Sequence, residues 1–201
     1  LSAFSNGVDD IPDDKKPDHA RVGEAVYRTA KELQGYISKL EEIRVPVIAA
    51  VHGGVIGGAL DLITACDMRF ASNDAFFCIQ EINIGMAADV GTLQRLPKII
   101  PDSKMREMAY TGRRMLADEA KDSGLVGEIY ETQDKMLEAV HKLAAEIASK
   151  SPVAIYGLKA VMNYSRDHNV SDSLDFNALW SGAMLSQADM TEAMTAQMEK
   201  R

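Results

Sequence analysis

The chain has 201 residues, 46% of them apolar and 26% charged, and a net charge of −8. That is enough for one core, or a core with a small appendage, in ordinary globular proportions, and it argues against nucleic acid as the main partner, because binding a polyanion needs a concentrated basic surface. No apolar run approaches the length of a membrane-spanning helix, and the only two cysteines, Cys66 and Cys78, give neither a disulfide framework nor a metal-binding spacing, so a reducing compartment is the default.

In chain order, the opening "LSAFSNGVDD" has no initiator Met and no signal-like segment. Either the N-terminus is processed or residues precede Leu1, and targeting information at that end cannot be read. "DDIPDDKKPDH" is dense in charge and contains Pro, which predicts a loop. From 20 to 44, Val22, Val26, Leu33, Ile37, Leu40 and Ile43 recur at helical spacing and predict an amphipathic helix. "VPVIAAV" (45–51) reads as a strand buried on both faces. Four glycines then fall within "HGGVIGG", which predicts a break in regular structure, followed by a short buried helix starting near Gly58. "MRFAS" and "AFFCIQ" predict two more strands. Asp89 is placed to cap a helix through "VGTLQRLPKII", which Pro97 disturbs near its end.

Everything beyond is predicted helical. Asp102 starts one helix, and "LADEAKDSG" forms another, closed by Gly124. "DKMLEAVHKLAAEIASK" sets Met136, Val140, Leu143, Ala144 and Ile147 on one face. Ser151-Pro152 is an N-cap followed by Pro at the first helical position. Two further helices start near Ser171 and Asp189. There is no internal sequence repeat. The order is α/β first and all-helical at the end.

A strand, a Gly-rich turn and a helix start place backbone N–H groups at the positive end of a helix dipole. Without a side chain at Gly57 or Gly58, a ligand oxygen can approach those amides, as a phosphate or an enolate oxyanion would. Tight strand–helix packing explains the glycines at least as well. The spacing matches neither a P-loop nor G-x-G-x-x-G. Asp61, Glu81 and Asp89 each have a plain alternative: a charge–dipole contact in the first helical turn, a turn residue, and an N-cap. Together they form a cluster of acids from adjacent segments, close to the Gly-rich helix start. Carboxylates in an apolar cleft have raised pKa values and repel each other's charge, which allows one to act as base and another as acid. His52 stands next to the turn and reads best as a strand-end histidine with a satisfied hydrogen bond. No Ser or Cys occupies a G-x-S-x-G context, so a hydrolase triad is not supported. The eleven methionines read as core.

These residues also carry a resemblance. "VPVIAAVHGGVIGGALDLITACDMRFAS" resembles the signature of the crotonase (enoyl-CoA hydratase/isomerase) superfamily, "FSNGVD" resembles its earlier F-S-x-G-x-D segment, and "TGRRMLADEAKDSGLV" the segment that follows its active site. The resemblance runs along essentially the whole chain. "QEINIGMAADVGTLQRLPKII" is similar to the Δ3,5-Δ2,4-dienoyl-CoA isomerase branch, including the acid at Asp89. Hydratases of the family have Glu at both positions matching Asp61 and Glu81, whereas the first is Asp here. The family implies an α/β fold: a crotonase-like β/α spiral core over 1–130, lacking its first strands and helix, and a helical trimerisation region over 131–201. It implies a CoA thioester substrate with no separate cofactor and no metal, and a homotrimer or homohexamer built by the C-terminal helices, where Trp180, Met184 and Leu185 cluster. It also implies a place in fatty-acid β-oxidation, in mitochondrion or peroxisome in eukaryotes and cytoplasm in bacteria.

The branch further implies roles. The residue matching Glu81 takes a proton from C2, the one matching Asp89 delivers a proton to C6, and the one matching Asp61 assists between them. The amides of Asn6 and Gly58 form the oxyanion hole, although Asn6 stands where Ala or Ser is commoner and Ala59 where a third Gly is frequent. Ser5, Gly7, Asp9, Gly57, Ile82 and Met86 contact substrate, and Ile84 and Val90 face or support the acyl chain. Three readings stay open: the dienoyl isomerase, a hydratase or Δ3,Δ2-enoyl-CoA isomerase of the same superfamily, and a member that binds acyl-CoA as a scaffold without turnover.

Overall fold

The structure, a computed structural model, describes residues 18–200, so Ser5, Asn6, Gly7 and Asp9 lie outside the described residues. A long helix α1 (His19–Glu42) leads in, its first turn capped by the Asp18 side chain, which accepts from the Ala20 N–H. Strand β1 (Ile48–Val51) follows, then β2 (Gly54–Ile56) and helix α2 (Gly58–Thr64). The same succession then recurs: β3 (Met68–Ser72), β4 (Phe76–Cys78), a 3-10 turn (Glu81–Ile84), a short helix α3 (Thr92–Arg95) running into a 3-10 turn (Leu96–Lys98), and helix α4 (Asp102–Thr111). Strand β5 (Arg114–Leu116), helix α5 (Ala117–Asp122) and strand β6 (Glu128–Tyr130) complete the α/β part. Four helices close the chain: α6 (Gln133–Ala148), α7 (Pro152–Asp167), α8 (Val170–Met184) and α9 (Gln187–Glu199).

The strands form two small sheets, β1-β3-β6, all parallel, and β2-β4-β5, in which β2 and β4 are parallel and β4 and β5 antiparallel. The chain thus gives a strand to the first sheet, a strand to the second, then a helix, and repeats. That is a spiral with no repeat in the sequence to announce it. Between the sheets and α2, α3 and α4 lies one core that includes Leu60, Phe77, Leu96, Met108, Met115 and Leu125, all fully buried. Arg69 of β3 holds α2 in place by donating to the carbonyls of Ile63 and Cys66 at its C-terminal end and to that of Leu125. Helix α6 packs on β1 and β3.

Several expectations are corrected. The glycine run does not break all regular structure, because Gly54–Ile56 pairs with Phe76–Cys78 and that tertiary pairing overrides local preference. The region after Asp102 is not all helical: β5 and β6 have three residues each, too short for an alternating pattern to register. In β1 only Ala49 is buried, so the strand is not covered on both faces. The apolar stripe of α1 is not a buried face: Val22, Val26, Leu33 and Ile43 are exposed, and Leu40 is its contact with the core. Asp89 does not cap α3, whose N-cap is Gly91. Two helix-end signals are as predicted: Ser151, the N-cap of α7, accepts from the Ala154 N–H ahead of Pro152, and Gly124 closes the segment after α5 in the left-handed region.

Candidate active site

Gly57 and Gly58 sit where β2 turns into α2. The Gly57 N–H is used by the sheet, donating to the Cys78 carbonyl at 3.0 Å. Its φ of 54° lies in the region L side chains avoid, and a Cβ there would come within 3.0 Å of the Glu81 Oε1. The glycine is what lets the Glu81 carboxylate lie against the turn. Gly58 is the first residue of α2, so its N–H has no intrahelical acceptor. A Cβ built on it would meet no described atom within 4 Å.

Glu81 opens the 3-10 turn after β4 and is half-buried. Its carboxyl is raised above the usual glutamate value, first by burial and then by the negative charges of Asp61 and Asp89, against a lowering by its own and the Gln80 backbone N–H. Glu81 therefore feels both other acids, which brings together the residues singled out in the sequence. They are not equivalent. Asp61 is 1% exposed, and its Oδ1 accepts from the Thr92 backbone N–H at 2.6 Å. Asp61 thus caps α3 from 31 positions away, doing the work expected of Asp89. Asp89 is exposed, its carbonyl accepts from Gln34 Nε2 at 2.7 Å, and its carboxylate has no hydrogen-bonding side chain among the described residues.

Ile82 and Ile84 are exposed, Met86 and Val90 half-buried. They form an open apolar edge beside the acids rather than an enclosed slot. His52 is exposed at the end of β1, near Asp74, whose carboxyl is held low chiefly by its hydrogen bond with Ser72. No group of three or more His, Cys, Asp or Glu is arranged to hold a metal among the described residues. No described helix is long and apolar enough to cross a membrane.

Sequence reasoning missed Gln34, Thr92 and the Arg95–Glu41 pair. Gln34 has no local signal, since its partner is 55 positions away. Behind the Asp89 loop lies a cavity of about 310 Å³, lined by Gln34, Val90, Gly91, Arg95 and Arg166 among others. Arg95 crosses it to donate to Glu41 Oε2 at 2.7 Å and to Ser38 at 2.9 Å.

The family profile described as enoyl-CoA hydratase/isomerase matches residues 3–201. The chain belongs to the enoyl-CoA hydratase/isomerase family. It is 46% identical to the mitochondrial Δ(3,5)-Δ(2,4)-dienoyl-CoA isomerase of Rattus norvegicus over 98% of this chain and 63% of that protein. It is 46% identical to the peroxisomal isomerase of the same name from Arabidopsis thaliana, over 92% of this chain and 66% of that one. The chain thus spans somewhat under two thirds of the length of these relatives. Among solved structures, the enoyl-CoA hydratase of Bacillus anthracis superposes with a TM-score of 0.83 at 30% identity, over 89% of this chain and 69% of that one. The crotonase-type spiral with a helical C-terminal region is the fold of this family member.

Proposed function

We propose that this family member isomerises a 3,5-dienoyl-CoA to the 2,4-dienoyl-CoA in fatty-acid oxidation. The observation that carries the reading is the gathering of Glu81, Asp61 and Asp89 near the start of α2 at Gly58, with the Glu81 carboxyl raised first by burial and then by its two acidic neighbours. The names of the relatives at 46% identity support it.

In this reading the Glu81 carboxylate removes a proton from C2. The electron pair spreads through the thioester and both double bonds, so negative charge develops on the thioester oxygen and at C4 and C6. The Gly58 N–H, with the Asn6 N–H as second donor, holds that oxygen; such donors act on charge as it develops. Asp89 then protonates C6, leaving double bonds at C2 and C4. One proton is taken and one is given, and the acids return to their starting states by exchange with solvent. No redox partner is needed, and coenzyme A enters as part of the substrate. Ile82 and Met86 border the acyl chain, Ser5, Gly7, Asp9 and Gly57 also bind substrate, and Asp61 sets the Asp89 loop. The compartment follows the relatives, mitochondrial or peroxisomal in a eukaryote, and the assembly is a homotrimer or homohexamer.

The hydratase and Δ3,Δ2-isomerase readings fit less well. A hydratase needs a water held between two acids, and Asp61 already commits an oxygen to the Thr92 amide. A scaffold role would leave the half-buried Glu81 carboxyl, and the Asp89 carboxylate that is unbonded among the described residues, without a use.

Ultraviolet absorbance of the 2,4-product, followed during turnover of a 3,5-dienoyl-CoA, tests the reading. Asp89→Asn and Glu81→Gln should each lower turnover by roughly 10²–10⁴-fold. Because Asp89 is not the cap of α3, Asp89→Ala should lose rate as Asp89→Asn does while the melting temperature barely moves. A fully active Asp89→Asn protein would remove the dienoyl isomerase assignment, and hydration of a 2-enoyl-CoA would replace it.

A further inference from the structure

We propose that Gln34 is a positioning residue for Asp89, an inference that rests on the isomerase reading above. Asp89 is exposed, and the loop that carries it backs onto the 310 Å³ cavity, so side-chain packing does not fix it from that side. Polar tethers do. Gln34 Nε2 donates to the Asp89 carbonyl at 2.7 Å, the Thr92 N–H donates to Asp61 at 2.6 Å, and one turn later Arg95 is held by Glu41 and Ser38.

Of these, the Gln34 bond is the one made to residue 89 itself. It fixes the orientation of the peptide plane leaving Asp89, and with it the direction in which the carboxylate leaves the backbone. Gln34 can do this because α1 is itself held. Lys159 and Asn163 of α7 donate to the carbonyls of Leu40 and Glu41 near its C-terminal end, and Arg166 pairs with the Glu41 carboxylate. The route from α7 through α1 to the loop is rigid helix followed by one hydrogen bond.

The test uses the intact protein with Gln34→Met, which keeps length and removes the donor, alone and combined with Asp89→Asn. Turnover of a 3,5-dienoyl-CoA should fall about tenfold with KM within about twofold, since one aligning hydrogen bond is lost and binding groups are untouched. In the Asp89→Asn background the same substitution should cause no further loss, because a residue that acts through Asp89 has nothing left to act on. Amide hydrogen exchange should quicken in a peptide spanning 87–92 and stay unchanged over α2 and α6. A tenfold loss in both backgrounds, or unchanged turnover with unchanged exchange, would overturn the proposal. A wild-type protein inactive toward the dienoyl substrate removes the isomerase reading instead, and the exchange comparison then decides the tether by itself: faster exchange keeps it, equal exchange rejects it.

Discussion

Glu81 and Asp61 are both acids near one turn, yet their surroundings give them different work. Asp61 is buried and bonded to a backbone amide, while Glu81 faces the Gly57–Gly58 turn with its carboxyl raised by burial and by the charges of Asp61 and Asp89. Folding raises the pKa of Glu81, so its contribution to stability is complete below the ordinary glutamate range and is lost as pH rises through the folded value. A base must be deprotonated, so the acid limb of kcat/KM against pH should lie above that of an unperturbed glutamate. Asp61→Asn removes one repelling charge and keeps an oxygen able to accept from Thr92. The acid limb should therefore move to lower pH while the fold persists, and an unmoved limb would mean that Glu81 is not the titrating base. The clustering of the acids was legible in the sequence because all three fall within 29 positions. Their division of labour was not, because it depends on which oxygen meets the Thr92 amide.

Among the elements, helices with a complete local signature were the legible ones. α7 carries Ser151-Pro152 at its start, and α6 an apolar face with Met136 and Val140 buried. Strands β2, β5 and β6 exist through partners distant in sequence, and three residues carry no period. The buried Lys159 of α7 was equally silent. It is 3% exposed, and its Nζ donates to the carbonyls of Leu40 and Val45 and to Asp67 Oδ2, which also accepts from the Val47 N–H. One ammonium therefore ties α7 to the end of α1, to the approach to β1 and to the start of β3. Lys159→Met keeps much of the apolar stem but takes the ammonium from two carbonyls and leaves Asp67 with only the Val47 N–H. Urea unfolding should show a loss of roughly 3–5 kcal/mol, the usual cost of removing one partner of a buried pair. A loss under about 1 kcal/mol would mean that water replaces the ammonium.

At the scale of the molecule, the C-terminal helices present many large apolar side chains outward. Leu158, Met162, Leu174, Leu179, Leu185 and Met198 are all exposed. A cavity of about 470 Å³ lies among α7, α8 and α9, lined in part by Leu158, Met162, Trp180 and Met184. The aromatic stack within this region is internal: Trp180 meets Tyr156 edge-on at 4.9 Å and lies over Gly157, where a Cβ would collide with its ring. What is left outward suits another copy of the chain, since exposed apolar patches of this extent mark association surfaces. Light scattering at micromolar concentration should give three or six times the chain mass, with circular dichroism showing helical content. A folded monomer would reject the assembly.

The Lys159 clamp also sets a schedule. Asp67 and Lys159 are 92 residues apart along the chain, and at roughly 5–20 residues per second a ribosome needs about 5 to 20 s to make the interval. Through that time the Leu40 and Val45 carbonyls wait without the ammonium, and the Asp67 carboxylate has only the Val47 N–H. Local order in α1 can form early, and Asp89 and Arg95 can bond to it once they emerge, but the clamp from α7 comes last. The nascent chain therefore has a built-in delay in which its first half is held by apolar contacts and by the Gln34, Arg95 and Val47 hydrogen bonds, without the Lys159 clamp.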